Sequence, residues 1–468
     1  MVRGRMSPAG AADDRTKDDV RPDNRLAVTD HGLFTQHSAI GRSLVIQCGW
    51  IYEHPIDLEG VRRFHHNVSR GFLGRRIERS PLPFARHHWV LDWTPSDIDF
   101  CESGRPRAEL SDWFDERAQL PIDAEHGPGW RLSVIELADG STAATLVLSH
   151  YLLDGIGLIF AVVDAAMGNT RNLGYPPPRS RPRLRGVAQD ARQTARDLPA
   201  VARAFSTVAK QARQQRQAAT ELPARPAPHA AGCGETELDE PFVVPGITIS
   251  ITLADWDARA NSLGGTSSTL GAALAAKLAE LIGRRAADGT VTLELPVNDR
   301  AEGDTRANAM SFARVTLDPT LVAKDLGEAR SAIGEALRTR RATPNELSRI
   351  AWLALFTPKR AFRQLDQTAV ADPDAPVFYS NLGDVGAIAD HLDGTPAEYA
   401  TARVLAQHET RRWLERNGGQ MILQALRVPD KFIVTVNAYQ PGAENTKPAL
   451  RKLAAQALAE FDLTGHID

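Results

Sequence analysis

The sequence predicts an α/β protein built in two halves, each a mixed sheet with helices. Three observations predict it. Alternating apolar runs of strand length and 3.6-period runs of helix length intermingle in both halves of the chain. A Pro- and Arg-rich stretch, Tyr175 to Leu184, interrupts them before the middle. The length, 468 residues, suits two or three domain-sized units. The expected division is a disordered tail over 1–25, a first lobe over 26–174, a linker with a long helix over 175–238, and a second lobe over 239–468.

Composition bounds the function. An apolar content of 43% and a charged content of 24% are those of a globular protein. A formal net charge of -3 gives no global pull toward nucleic acid or anionic membrane. Cys48, Cys101 and Cys233 lie far apart and suit neither a disulfide framework nor a zinc ribbon, which favours a reducing compartment. No metal site is expected. Met1 to Arg25 is polar, carries both charge signs and lacks an apolar core, so it does not read as a signal peptide. The most apolar window, Leu152 to Met167, contains Asp154 and Asp164 and reads as a buried segment rather than a membrane span. The expected location is cytoplasmic, with peripheral membrane contact as an option.

Order is expected from Leu26. Ser43 to Tyr52 reads as a strand. A short helix follows through Ser69, with Leu58, Val61, Phe64 and Val68 at 3-3-4 spacing. Arg75 to Trp93 is an irregular strand region broken by Pro81 and Pro83, and Ser111 to Leu120 is helical. Arg131 to Leu137 and Thr142 to Leu148 form a hairpin, because Asp139-Gly140 between apolar runs tolerates positive φ. A buried helix occupies Gly157 to Met167. Ala188 to Arg216 is a long helix with an apolar stripe of Leu198, Val201, Phe205 and Val208, and arginines on its other faces. Leu222 to Gly234 is a loose segment.

The second half opens with a strand over Ile247 to Leu253. Thr269 to Arg284 is an amphipathic helix with Leu270, Leu274, Leu278 and Leu281 inward. Strands follow at Val291 to Leu295 and Ser311 to Leu317, then helices at Leu321 to Arg340 and Leu347 to Phe356. Pro376 to Ser380 is a strand entering Asn381-Leu382-Gly383. Three strands near Thr401, Met421 and Phe432 precede a terminal helix from Ala449 to Phe461.

Chemistry concentrates at Leu146 to Gly155. The hairpin's second arm delivers His150 at its end, and Asp154-Gly155 then turns the chain into an apolar helix. Imidazole is the side chain best suited to take a proton near neutral pH. A thioester is already activated, so acyl transfer from it needs neither a metal nor a protein nucleophile. A carboxylate at Asp154 can pair with a cation on a neighbouring element and fix the loop. Gly155 permits a sharp turn or close approach of a substrate. His87-His88-Trp89-Val90-Leu91-Asp92 has the same His-His-x-x-x-Asp spacing, but Trp93 stands in place of Gly and no apolar strand or helix flanks it. Context, not spacing, separates the two.

Ser149-His150-Tyr151-Leu152-Leu153-Asp154-Gly155 resembles the His-His-x-x-x-Asp-Gly signature of the chloramphenicol-acetyltransferase-like superfamily. That group includes condensation domains, polyketide-associated acyltransferases and bacterial wax ester synthase/diacylglycerol acyltransferases. The last branch resembles the wider chain most. Pro121-Ile122-Asp123 with Gly127-Pro128-Gly129-Trp130-Arg131, Gly264-Gly265-Thr266, Pro296-Val297-Asn298-Asp299-Arg300 with Asn308, and Ser380-Asn381-Leu382-Gly383 are similar to its landmarks in order. Ser149 replaces the first His, Ser268-Thr269-Leu270 stands where an Asn-Asp pair is expected, and Asn298-Asp299 replaces Ser-x before Arg300.

The resemblance implies a two-lobed fold with an active-site channel between the lobes. It implies His150 as general base, and Asp154, Gly155 and Arg300 as structural residues of the site, Arg300 being the salt-bridge partner of Asp154. Ser149 and Asn381 are candidates for positioning substrate, although Asn381 also suits a turn cap. The implied activity is direct acyl transfer, without an acyl-enzyme, from a CoA or carrier-protein thioester to a hydroxyl in preference to an amine. No cofactor is bound; the thioester is a co-substrate. The partners are a small acyl donor and acceptor, with an acyl or peptidyl carrier protein as an option, and no nucleic acid. The rivals are carrier-dependent amide-forming condensation and a catalytically inactive scaffold. For the Arg-rich helix, three roles suit: an interfacial helix on an anionic membrane, a landing site for an acidic carrier, or a crossover helix with its stripe packed and its arginines solvated. The third is the commonest fate of a charge run.

Overall fold

The computed structural model describes residues 23–218, 238–343 and 351–468, apart from positions 93, 103, 302, 370, 373 and 387, and excludes the side chains of 211–218. The tail expected over 1–25, up to residue 22, and the segment expected at 222–234 lie outside the described residues.

The first half runs α1 (Val28–Ile40), β1 (Ser43–Tyr52), α2 (Leu58–Ser69), β2 (Arg75–Glu78), β3 (His88–Leu91), β4 (Asp99–Phe100), α3 (Leu110–Ala118), β5 (Trp130–Glu136), β6 (Thr142–Ser149), α4 (Gly155–Ala166) and α5 (Arg183–Ala218). The second runs β7 (Gly246–Thr252), α6 (Leu253–Ser262), α7 (Ser267–Ile282), β8 (Val291–Asn298), β9 (Met310–Leu317) and α8 (Gly327–Ala342). A 3-10 turn (Ala351–Phe356) and α9 (Lys359–Thr368) lead to β10 (Val377–Asp384), β11 (Tyr399–Gln407), α10 (Arg411–Arg416), β12 (Gln420–Arg427), β13 (Lys431–Tyr439), α11 (Lys447–Glu460) and β14 (His466–Ile467).

Two sheets dominate. One has the order β11-β1-β6-β5-β4, the other β14-β7-β13-β12-β10-β8-β9. Both are mixed: β4 runs parallel to β5, and β10 runs parallel to β8 and β12. The second half of the chain lends a strand to the first sheet. β11 comes from the second half and pairs antiparallel with β1 from Ser43↔Gln407 to Ile51↔Tyr399. The edge of the first sheet thus lies against β12 and β13 of the second. Thr435 Oγ1 donates to Ala402 O at 2.7 Å, and Gln424 Oε1 accepts from Val404 N at 3.2 Å.

Several elements differ from the sequence expectation. α1 has no regular apolar period; it buries Asp30, His31 and Gly32 beside Phe34. α7 is not amphipathic. Every residue from Thr269 to Ala279 is buried, because small alanines between the leucines let neighbours pack on all sides. Of the stripe expected to pack on α5, Val201 is buried, but Leu198 and Phe205 are 50% and 54% exposed; Ala204 takes the inner place. The helix expected at Leu347 to Phe356 falls partly on undescribed residues, and its remainder is the 3-10 turn. α9 and α10 were not expected.

Candidate active site

β6 ends at Ser149, and the next residue begins the loop that carries the chemistry. His150 stays tied to β1 through its main-chain N–H, which donates to Leu44 O at 2.9 Å. Its carbonyl accepts from Asn308 Nδ2 at 3.3 Å. The ring is half-buried. Nδ1 is buried with no hydrogen-bond partner, and Nε2 is the nitrogen left to the cleft that the ring lines. Burial pushes the imidazole below its ordinary pKa, while its own main chain, the Asp154 charge and Asn308 pull the other way. A ring so placed is neutral near pH 7 and able to accept a proton.

Asp154 is turned away from that task. It is the N-cap of α4: Oδ1 accepts from Gly157 N at 2.8 Å. Oδ2 accepts from Ala309 N at 2.8 Å and stands 2.9 Å from Arg300 Nη2. Both side chains of the pair are buried. Arg300 also donates to the carbonyls of Asp304, Arg306 and Ala307 at 3.0–3.1 Å, so the loop from 304 to 309 curls around it. At Gly155 an added Cβ would come within 2.8 Å of Leu382 Cδ2. The glycine lets α4 approach β10 closely.

Ser149 and Asn381 fall differently. Ser149 is buried and does not line the cleft; its hydroxyl accepts from Tyr151 N at 3.3 Å. Asn381 does line it, but its Oδ1 closes a turn onto Gly383 N at 2.8 Å and its Nδ2 donates to Ser268 at 3.0 Å. The near-duplicate at His87 is elsewhere. His88 is buried with Nε2 3.1 Å from Asp190, and His87 meets the His31 ring edge-on at 4.4 Å.

Two residues that sequence reasoning missed hold the same loops. Asp30, buried on α1, accepts from Ala307 N at 2.9 Å and from Asn308 N at 2.8 Å. Arg75, buried on β2 over the Trp89 ring, donates to Leu152 O at 2.7 Å and Thr305 O at 2.6 Å. Both bind main-chain atoms, which leaves no side-chain spacing to read.

The cleft, about 120 Å³, lies between the two sheets. Its roof is His150, Gly155, Ile156, Ile46 and Val404; its floor is Asn298, Phe378, Ser380 and Gln424 on β8, β10 and β12. Ile46, Gly155, Leu382 and Ala402 also line a second, apolar cavity of about 50 Å³, which continues past Cys48 and Trp50 of β1 and Leu158, Ile159 and Val162 of α4. Trp50 closes the far end, its Nε1 donating to Ala389 O at 2.9 Å.

No protein-family model matches the chain, and no curated protein matches it significantly. Solved structures do match. The first condensation domain of the CDA synthetase is 13% identical with a TM-score of 0.54, over 95% of this chain and 100% of that one. The condensation domain from Monacolin K polyketide synthase MokA is 13% identical with a TM-score of 0.52, over 94% and 96%. The wax ester synthase/diacylglycerol acyltransferase from Marinobacter aquaeolei VT8 is 16% identical with a TM-score of 0.52, over 94% and 98%. At these identities the likeness is one of fold. The chain has the two-lobed chloramphenicol-acetyltransferase-like fold, and condensation domains and the wax ester synthase match it about equally well.

Proposed function

We propose that the protein is an acyltransferase that moves an acyl group from a CoA or carrier-protein thioester to a hydroxyl acceptor, with His150 as general base. The observation that carries this reading is the position of His150 in a cleft between the sheets that shares Ile46, Gly155, Leu382 and Ala402 with an apolar cavity. Structures of the same fold, named as condensation domains and as a wax ester synthase/diacylglycerol acyltransferase, support acyl transfer or condensation as the reaction class.

The steps follow from that placement. The acceptor hydroxyl attacks the thioester carbonyl carbon as His150 Nε2 takes its proton. The tetrahedral intermediate collapses, the C–S bond breaks, and the imidazolium returns the proton to the leaving thiolate. The products are an ester and a free thiol, and no bond to the protein forms. The Asp154–Arg300 pair holds the loop and does not relay charge to the ring.

The apolar cavity beside the cleft, lined by Ile46, Cys48, Trp50, Leu158 and Val162, supports an apolar acyl group as the one transferred.

The test is incubation with acyl thioesters of graded length, on CoA and on a carrier protein, with alcohol and amine acceptors. Products are read by mass spectrometry. Ester formation is expected; amide formation alone would favour condensation. His150→Ala should lower turnover on the order of 10²–10⁴-fold with an unchanged urea midpoint. Unchanged turnover in that variant would refute the mechanism.

A further inference from the structure

The long helix α5 turns two rows of side chains to solvent that the proposed reaction does not use. Leu184, Leu198 and Phe205 are separated by multiples of seven residues and are 88%, 50% and 54% exposed. A step of seven drifts about 20° round the helix, so the three lie on one row that slews by about 60° from end to end, with exposed Ala191 between the leucines and Pro199 within the helix. Across the exposed arc of the helix, about 100° or more round from it, runs a basic row of Arg185, Arg192, Arg196, Arg203 and Lys210, all exposed. The opposite side packs on the protein through Asp190, Val201 and Ala204. The helix has two acids, and both turn inward to partners: Asp190 to His88 and Arg181, Asp197 to Arg86 and Arg25. No carboxylate of α5 therefore offsets the basic row.

We propose that this face docks on an anionic lipid surface, with α5 lying in the plane of the interface. An exposed apolar row with a basic row on the other side of the same helix, its remaining side anchored to the protein, is the pattern that seats at the boundary between headgroups and acyl chains. From Leu184 to Phe205 the row is about 32 Å long at ~1.5 Å per residue. A planar surface meets all of it, whereas a small globular carrier meets only some of its turns. The net charge of the chain is -3, so the attraction belongs to this face and not to the molecule as a whole. Among the described residues no helix is long and apolar enough to cross a membrane, so the contact is peripheral.

The test is co-sedimentation of the full-length protein with phosphatidylcholine vesicles, with and without phosphatidylglycerol. Binding is expected only to the anionic vesicles and should weaken as salt is raised. The triple variant Arg192→Glu, Arg196→Glu, Arg203→Glu should lose on the order of 100-fold in vesicle affinity. The double variant Leu198→Asp, Phe205→Asp should also release the protein. All five positions are exposed, and unchanged urea midpoints would show that the variants fold. Wild-type protein that ignores anionic vesicles, or variants that bind them undiminished, would overturn the proposal. An acidic acyl-carrier protein is titrated in parallel. Carrier binding that the triple variant abolishes, without vesicle binding by the wild type, would assign the face to a protein partner instead.

Discussion

Replacing Asp154 by Asn asks what the carboxylate is for. In the structure it serves Gly157 N, Ala309 N and Arg300 Nη2, and the Arg300 and Asp154 side chains are only 4% and 3% exposed. An amide keeps one acceptor oxygen, which can satisfy Gly157 or Ala309 but not both, and its NH₂ then faces another donor. The Arg300 charge is left buried without its counter-ion. Removing one member of a buried pair costs about 3–5 kcal/mol. Arg300 keeps the carbonyls of Asp304, Arg306 and Ala307, which places the expectation near the lower end, at about 3 kcal/mol. At ~1.4 kcal/mol per tenfold, that is about two decades in the unfolding equilibrium. The assay is urea unfolding followed by tryptophan fluorescence, since Trp50, Trp89 and Trp130 are buried in the core around this loop. Turnover and its pH dependence are measured on the same samples without urea. A lowered midpoint with reduced turnover and an acid limb close to that of the wild type is expected. An unchanged midpoint, with turnover lost and the acid limb displaced, would refute the reasoning and make the carboxylate a partner of His150.

Two more outcomes follow from buried groups. Cys48 lies midway between Ile46 and Trp50 on the wall of the apolar cavity. Cys48→Phe should shift the preferred acyl group toward shorter chains, read as kcat/KM across a graded acyl-thioester series. An unchanged length preference would show that the chain lies elsewhere. His31 and His37 are each lowered by burial from 6.5 to about 4. The unfolded chain takes up their protons at 6.5 and the folded chain resists until about 4, so their stabilisation is full above pH 6.5 and is lost as pH falls toward 4. The urea midpoint should drop between pH 7.5 and 5 by an amount equivalent to about 2 kcal/mol for each histidine. His37→Gln should flatten the slope; an equal slope would exclude His37 as a source.

What the sequence makes legible depends on how local the cause is. The β5–β6 hairpin is readable because Asp139-Gly140 settles the turn on the spot, with Ser141 N donating to Asp139 Oδ1 at 3.0 Å. β11 is readable as a strand but not as a member of the first sheet, since its pairing with β1 spans most of the chain. α1 is invisible to periodicity because its inner face is Asp30, His31 and Gly32, residues buried for the partners they meet and not for their apolarity. On α5, 3-4 spacing joins Val201 to Leu198 and Phe205 in one stripe, yet the protein takes Val201 and leaves the other two outside. Spacing gives the pattern of a helix surface; only the neighbours decide which part of it is covered.

The candidate site divides in the same way. His150 is legible from its hairpin and the turn behind it, and Asp154 from its place before an apolar helix. Arg300 is reached only through resemblance, because nothing local ties residue 300 to residue 154. Asp30 and Arg75 are out of reach altogether. Yet with Asp154 they act on the same backbone: Asp30 and Asp154 bind the N–H groups of residues 307, 308 and 309, while Arg75 binds carbonyls of residues 152 and 305. Arg75 and Asp154 tie the histidine loop to the loop after β8, from β2 and from α4, and Asp30 holds that second loop from α1. The carboxylate nearest His150 in sequence is thereby committed to this clamp, and the imidazole faces the cleft with no side-chain partner on Nδ1. A base held in place by its backbone, and not by a second ionisable group, needs a rigid loop, which accounts for the four buried ionisable residues, Asp30, Arg75, Asp154 and Arg300, that converge on these two loops.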